Sequence, residues 1–471
     1  MARVVVIGGG ISGLVAAWEL SGGAVGPGSG TPEVTVLESS ARLGGALASV
    51  DFAGRRVDVG PDGFLGRRPE ALSLCRELGL DEALVPIGGR RAGVWARGKV
   101  RPLPDGLALG IPTRFWPAAR SGILGLRGQF GLALDALAPR PDVRGPIGDR
   151  AIGPLVVRKL GRRVTERLVD PLIGGIHAGS VSDMSAAAIY PPLLAAAQRR
   201  GSLMRALRAE VPAPVPAGEA EPLFWTLDGG MAALVDALTA ALQSRGVTIA
   251  LEQPAEQLSR GVTGWVVTAG GVDRPTDRVI LAVPAPTAAG LLAPIDDEAT
   301  TLLGGIDYAS VSLATFQVPV DQLATPLVGT GFLVPRSSPH PDDKAGWIVT
   351  ACTYLSQKWP TLARDGEVLL RASLGRFGDD RTAGWSDADI TARVWGELGL
   401  LMGVSGTPSA SMLTRWPLAF PQYRVHHLVR TTGIESAIAR LGGLAVAGAA
   451  YRGVGIPACI ASGKAAAQAV L

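Results

Sequence analysis

Residues 3–20 constrain what this chain can fold into more than any other stretch. The β-branched run Arg3-Val4-Val5-Val6-Ile7 stops at Gly8-Gly9-Gly10, and a helical pattern, Ile11 to Leu20, starts inside the glycine cluster. Gly8, Gly10 and Gly13 match G-x-G-x-x-G, the turn that lets backbone approach a pyrophosphate at a helix N-terminus. In a chain with 63 glycines that spacing alone is weak evidence. Its context is stronger. A second strand, Val34-Thr35-Val36-Leu37, answers the first and ends in Glu38, an acid placed to bind a ribose hydroxyl. The interval is slightly long, and the glycine-rich run 22–30 absorbs the excess as a loop. A structural glycine turn is the alternative; dinucleotide binding is the expectation.

Arg42-Leu43-Gly44-Gly45 follows the acid. The arginine can reach phosphates, and paired glycines permit a second close backbone approach. Glu38 through Gly45 resembles the FAD-binding amine oxidase and desaturase superfamily more than any NAD dehydrogenase. An ordinary turn with a surface arginine is the competing explanation.

At 471 residues and 47% apolar, the chain can bury a large core and should form two or three domains. A formal charge of +4, with no basic cluster interleaved with aromatics, argues against a nucleic-acid partner. Arginines far outnumber the five lysines, and with 35 prolines this reads as coding bias, not as a site. Cys75, Cys352 and Cys459 lie far apart, so neither a disulfide framework nor a thiolate cluster is suggested. The four histidines, His177, His340, His426 and His427, lack ligand spacing, and no catalytic metal is expected. The chain opens on the nucleotide strand, leaving no room for a signal peptide, and no apolar run reaches the roughly 18 residues of a membrane span. It reads as cytosolic, with peripheral contact at a membrane surface as an addition.

Along the chain, a hairpin at 47–57 precedes Asp58-Val59-Gly60-Pro61-Asp62-Gly63, a tight turn suited to a ligand. A helix at 69–78 ends at Gly79. Arg90, Arg91, Arg97, Lys99 and Arg101 crowd a hairpin at 90–104, either as a solvated basic face or as anchors for a carboxylate-bearing substrate. Residues 105–210 turn helical, with expected helices at 118–122, 128–137, 151–160, 165–172, 186–197 and 203–207. Apolar runs at 107–112 and 123–126, flanked by Arg114, Arg120 and Arg127, suit either the core or a membrane surface. A proline-rich linker, 210–219, leads to a second αβ texture: helix 231–244, strand 247–251, a hairpin through 265–267 and strand 279–283. Strands at 311–316, 331–334, 347–354 and 368–374 suit an antiparallel sheet, and a helix over 386–401 has Ser386 at its N-terminus. Strand, glycine turn and helix recur at 444–470, where Gly453 and Gly455 would let a helix N-terminus approach the anionic end of a reduced flavin.

Several longer segments resemble the oxygen-dependent protoporphyrinogen/coproporphyrinogen oxidase family, over nearly the whole length. They include GGGISGL (8–14), DVGPDGF (58–64), LVDPLIGGIHAG (168–179), GFLVPR (331–336), ACTYLSQKWP (351–360), FPQYRVHH (420–427) and GAAYRGVGIPACIASG (448–463). The resemblance implies an α/β fold with an α+β substrate part. Its pieces would be a discontinuous Rossmann-like FAD domain of p-hydroxybenzoate-hydroxylase type (1–70, 222–285 and 421–471), an antiparallel-sheet substrate domain (71–104 and 286–420), and a helical insert (105–221) used for membrane contact in some relatives. It also implies non-covalent FAD, contacted by Gly8, Gly10, Ile11, Ser12, Gly13, Glu38, Ser39, Arg42, Gly44, Gly45, Gly60, Pro61, Asp62, Ala255, Gly448, Val454, Gly455 and Ile456. Gly175 matches a glycine over the flavin face. A porphyrinogen substrate, molecular oxygen and a downstream haem-pathway enzyme are the partners to expect.

The sequence also departs from the family. Gly63 stands where serine is common, Arg68 where Gram-positive relatives carry lysine, and Ser180 where aspartate is frequent. Gly93 stands where plant and animal enzymes carry a substrate-anchoring arginine, which leaves Arg68 and Arg91 as candidate anchors. No general base is identified. The activity implied is oxidation of coproporphyrinogen III, in haem biosynthesis, with release of hydrogen peroxide. Protoporphyrinogen IX is the alternative substrate; an amine oxidase, a carotenoid desaturase or a flavin-bearing assembly protein is a more distant reading.

Overall fold

The computed structural model describes residues 1–89, 91–138, 148–199, 201–211 and 221–471. Two compact units result, each discontinuous in sequence: Met1–Pro86 with Pro222–Asp307 and Leu428–Leu471, and Ile87–Glu221 with Tyr308–His427. Arg90 and most of the proline-rich stretch, from 212 onward, lie outside the described residues.

The first unit is built on a parallel sheet. β1 (Arg3–Ile7) leads through the glycine turn into α1 (Ile11–Leu20), and β2 (Glu33–Leu37) lies beside β1. After a long excursion the chain returns with α2 (Ala232–Ser244), β3 (Thr248–Ala250) and β4 (Arg278–Leu281), and later with β5 (Leu444–Val446) and α3 (Ile456–Val470). The strand order is β3-β2-β1-β4-β5, every pair parallel. A sheet covered on both faces needs continuous apolar strands, and β1 is buried from Val4 to Ile7. α1 is apolar nearly all round because α3 covers one side: a Cβ on Gly463 would sit 2.3 Å from the Ser12 carbonyl oxygen, so only glycine lets these helices touch. A three-stranded antiparallel meander, Ala255–Arg260, Trp265–Ala269 and Val272–Thr276, completes the unit.

The second unit carries a seven-stranded sheet. Its strands, in spatial order, are Ala410–Pro421, Tyr308–Pro319, Glu367–Leu374, Val349–Tyr354, Gly331–Leu333, Gly93–Ala96 and Lys99–Pro102. All neighbours are antiparallel except Gly331–Leu333 with Gly93–Ala96, which are joined by a long connection and run parallel. The expected antiparallel sheet is therefore mixed at one pairing. Helix Asp387–Met402 is capped by Ser386, whose hydroxyl accepts the Asp389 N–H at 3.1 Å. Its buried Glu397 accepts the N–H groups of Ile348 and Val349, fastening helix to sheet.

Helices 105–210 form a core with Val94 and Ala96 of that sheet. The expected 165–172 helix runs on as a π-helix, Thr165–Gly174, with Pro171 inside it. The expected 186–197 helix is split at Tyr190, where Pro191 bars the preceding residue from helical geometry.

Unit boundaries differ from the sequence expectation in three places. Residues 71–86 belong to the first unit, because Ala71, Leu74 and Cys75 share a core with Trp18 and Ile460, and strand Leu84–Pro86 pairs with Phe224–Leu227. Residues 286–307 also join it, as paired helices Ala285–Leu292 and Asp297–Gly304. Residues 421–427 join the second unit, where the Tyr423 carbonyl accepts the Ser185 N–H at 2.8 Å. The helical stretch and the mixed sheet fall in one unit, because they share a core.

Candidate functional site

In parallel sheets the C-terminal strand ends share one edge, and both β1 and β5 leave that edge into helices. Gly10 precedes α1 and Gly455 precedes α3, neither supplying a side-chain cap. The first-turn N–H groups of both helices, apart from Pro457, which has none, are left without a side-chain cap and carry a partial positive charge.

The glycines divide by role. Gly8 has φ +109°, and a Cβ there would sit 2.4 Å from the Ala282 carbonyl oxygen. A Cβ on Gly13 would lie 1.9 Å from the Gly8 oxygen, so Gly13 allows the helix to pack on the turn. Gly10 is different: a Cβ would meet nothing nearer than the Gly45 Cα, at 4.0 Å. Gly10 and Gly44 form a parallel bridge, with the Gly44 N–H donating to the Gly9 carbonyl at 2.8 Å. Gly45 is exposed at φ +58°, and Gly44 is buried at φ +98°. Gly448, at φ +132°, also faces open space, and its N–H donates to the Ser462 hydroxyl at 3.0 Å. Two glycine surfaces left open beside two uncapped helix starts fit a dinucleotide whose phosphates lie on α1.

Glu38 sits where the ribose acid is expected. One carboxylate oxygen accepts the Gly9 N–H at 2.7 Å; the other accepts the Ser40 N–H and hydroxyl, both at 2.8 Å, with the Ser39 hydroxyl at 3.3 Å. The acid thus ties the second strand to the glycine turn, a link the spacing alone did not disclose. The Gln253 N–H donates to the Glu38 carbonyl at 2.8 Å, which brings the turn before Ala255 alongside. Arg42 turns inward, donating to the carbonyls of Gly45 (2.7 Å), Leu43 (3.2 Å) and Leu47 (3.4 Å), so in the structure its guanidinium holds its own loop in shape. The side chains of Ile11, Ser12 and Ile456 point into the core, and the Ser12 hydroxyl donates to the Cys459 carbonyl at 2.9 Å. Only their backbone can serve a ligand. Gly60 and Asp62 are buried and Pro61 is exposed; Val454 is half-buried and Gly455 exposed.

The substrate-facing candidates fall in separate units. Arg68 belongs to the first, where its guanidinium is held by Glu70 at 2.7 Å; that hydrogen bond pushes Arg68 up and holds Glu70 below the usual carboxylate range. Arg91, in the second, is exposed, and its carbonyl accepts the Thr330 N–H at 2.8 Å. Gly93 lies inside the hairpin with Val100 2.6 Å from where its Cβ would be, so no long side chain fits there. Gly175 is exposed at the end of the π-helix. Nearby His177 keeps a buried Nδ1 with no hydrogen-bond partner, and burial pushes its pKa down to about 4. Among the described residues no group of acids, histidines and cysteines could hold a metal ion. All three cysteines are free and buried.

Comparison with known proteins follows this geometry. A solved structure of a provisionally named protoporphyrinogen oxidase from an Exiguobacterium species superposes with a TM-score of 0.87 at 30% identity, covering 100% of this chain and 98% of that one. The coproporphyrinogen III oxidase of Bacillus subtilis is 32% identical, over 98% of this chain and 97% of its own length. That of Mycobacterium tuberculosis is 34% identical, over 98% and 95%. Residues 11–471 match the family profile described as flavin containing amine oxidoreductase, and the chain belongs to that family.

Proposed function

We propose that the protein is an FAD-dependent oxidase that converts coproporphyrinogen III to coproporphyrin III, with molecular oxygen as acceptor and hydrogen peroxide as by-product, in haem synthesis. The observation that carries this reading is similarity to coproporphyrinogen III oxidases along nearly the whole chain. The flavin-family membership and the open glycine surfaces at Gly10 and Gly448 support the cofactor. Protoporphyrinogen IX is the second reading, favoured by the name of the Exiguobacterium relative.

Bound FAD supplies acceptance of a hydride from a bridging methylene carbon and reoxidation by dioxygen. The chain's own residues position it. The N–H groups of α1 and the turn at Gly8, Gly10 and Gly13 would hold the pyrophosphate, and Glu38, already oriented by Gly9 and Ser40, would hold the ribose hydroxyls. Exposed Gly45, whose carbonyl Arg42 holds, keeps the second approach open. The N-terminus of α3, behind Gly448 and Val454, offers positive potential to the pyrimidine end of the flavin ring. Aromatisation of the macrocycle drives proton loss to water, so a strong base is not required. His177, kept neutral by burial, does not act as an acid near neutral pH.

The reading extends to a membrane surface. The runs at 107–112 and 123–126 are mostly core, with Ala108, Ile111, Ile123 and Leu124 buried. Exposed are Leu126, which closes the second run, and Phe130, Leu134 and Leu137, spaced to share one face of helix Gly125–Leu137, while Gly128, Leu132 and Asp135 bury the opposite face. Exposed Trp116, with the Arg120 guanidinium 5.1 Å from its ring, and exposed Arg114 and Arg127 add the aromatic and cations of an interfacial site for anionic lipid. No described helix is long and apolar enough to cross a membrane.

The test is direct. The purified protein should show a flavin absorption spectrum, and porphyrin fluorescence should rise in air with coproporphyrinogen III. A flavin-loaded protein that gives no fluorescence with either porphyrinogen would overturn the reading.

A further inference from the structure

The second unit contains a cavity of about 290 Å³ lined in part by Ser180, Ser182, Met184, Arg336, Phe377 and Arg424. Topology explains why cations gather there. In the sheet, strands Gly331–Leu333, Glu367–Leu374 and Ala410–Pro421 alternate with antiparallel neighbours, so all three run the same way and finish on one edge. Arg336, Arg376 and Arg424 each follow one of those ends by two or three residues. No local sequence pattern reveals the grouping, because the three are far apart in the chain.

The turn after the π-helix forms part of the wall. The Arg336 Nη2 donates to the Gly179 carbonyl at 3.1 Å, the Phe377 N–H to the Ala178 carbonyl at 2.7 Å, and the Gln422 amide to the His177 carbonyl at 3.0 Å. The Arg424 guanidinium stacks over Phe377, 4.7 Å from the ring centre. Arg376 stands behind, donating to the Val334 carbonyl at 2.9 Å; burial, with Arg336 beside it, pushes its pKa down to about 10, so it stays charged near neutral pH. Carboxylates stand nearby as well. Asp170 accepts the Val181 N–H at 3.1 Å and lies 4.0 Å from Arg336, Asp183 lines the cavity, and Asp379 is paired with Arg381 at 2.8 Å. Ser180 and Ser182, 2.8 Å apart, add hydroxyl donors, while Met184 and Phe377 add apolar wall.

We propose that this cavity takes a propionate arm of the porphyrinogen, with Arg336 and Arg424 supplying charge to its carboxylate and Phe377 and Met184 covering its methylenes. The inference rests on the porphyrinogen reading. A cavity of about 290 Å³, at the small end of small-molecule sites, has room for a propionate arm. Guanidinium is the group whose fork matches a carboxylate. The assignment also supplies an anchor that Gly93 cannot.

The test is steady-state kinetics of the flavin-loaded Arg336→Gln and Arg424→Gln variants with coproporphyrinogen III, beside the unaltered enzyme with both porphyrinogens. Both arginines are exposed, so the substitutions leave the core intact, and flavin absorbance reports holoenzyme. Expected is a rise in KM of about tenfold in each variant with kcat within about twofold, as for loss of a charged hydrogen bond, and partial recovery in Arg336→Lys. KM unchanged in both glutamine variants, with the unaltered enzyme active, would overturn the propionate site and leave the oxidase reading standing. An unaltered holoenzyme that oxidises neither porphyrinogen would overturn the oxidase reading, and the propionate assignment with it.

Discussion

Gly10 and Gly13 are three residues apart in one motif, yet they answer to different constraints. Gly13 serves the fold, since a methyl group there would overlap the Gly8 carbonyl; Gly10 leaves space for a ligand. Gly10→Ala should therefore leave the melting temperature of flavin-free protein unchanged and weaken FAD binding by about tenfold or more, roughly 1.4 kcal/mol. Gly13→Ala should lower the melting temperature of the flavin-free protein as well. Calorimetry of flavin-free protein with FAD titration separates the two. His177 makes a second prediction. Its folded pKa, about 4, lies below the roughly 6.5 of an unfolded histidine, so the unfolded chain takes up the proton first. Stability is present above the unfolded value and is lost as pH falls from about 6.5 toward 4. His177→Leu, which removes the unpartnered Nδ1, should therefore lose less melting temperature between pH 7 and pH 5 than the unaltered protein. Equal losses would refute this.

At the scale of elements, the sequence was most legible where local chemistry decides the outcome. β1, the glycine turn, α1 and the Ser386 cap follow from β-branched residues, positive φ and a hydroxyl acceptor, all short-range causes. Helix Gly125–Leu137 was only half legible. Its spacing forecast a helix, but Asp135, buried against Ser202 and the N–H groups of Leu203 and Met204, fixes which face turns inward. That contact cannot be seen in a local window; the exposed apolar face starts at Leu126, the last residue of the 123–126 run, and continues through Phe130, Leu134 and Leu137. Leu126→Asp with Phe130→Asp should abolish co-sedimentation with anionic vesicles and change the melting temperature by no more than about 1 °C, since both side chains are exposed. Retained sedimentation would remove the membrane surface from the account.

For the whole molecule, the two strand–turn–helix motifs at the ends of the chain were readable, and so was their return to one domain. Parallel pairing of β1, β4 and β5 joins residues more than 400 positions apart, and the shared edge follows from that pairing. The units' limits were less readable. They depend on which core each helix enters: Leu74 and Cys75 pack with Ile460, and Val94 packs with the helices after 105. The arginines at one sheet edge were invisible for the same reason, since only the strand order brings Arg336, Arg376 and Arg424 together. The central claim is that the protein oxidises coproporphyrinogen III, which carries two propionates more than protoporphyrinogen IX. The ratio of kcat/KM for coproporphyrinogen III to that for protoporphyrinogen IX, measured in air on the flavin-loaded protein, tests it most directly. The account predicts a ratio of about ten or more, the worth of one charged hydrogen bond. A ratio of one or below would contradict it.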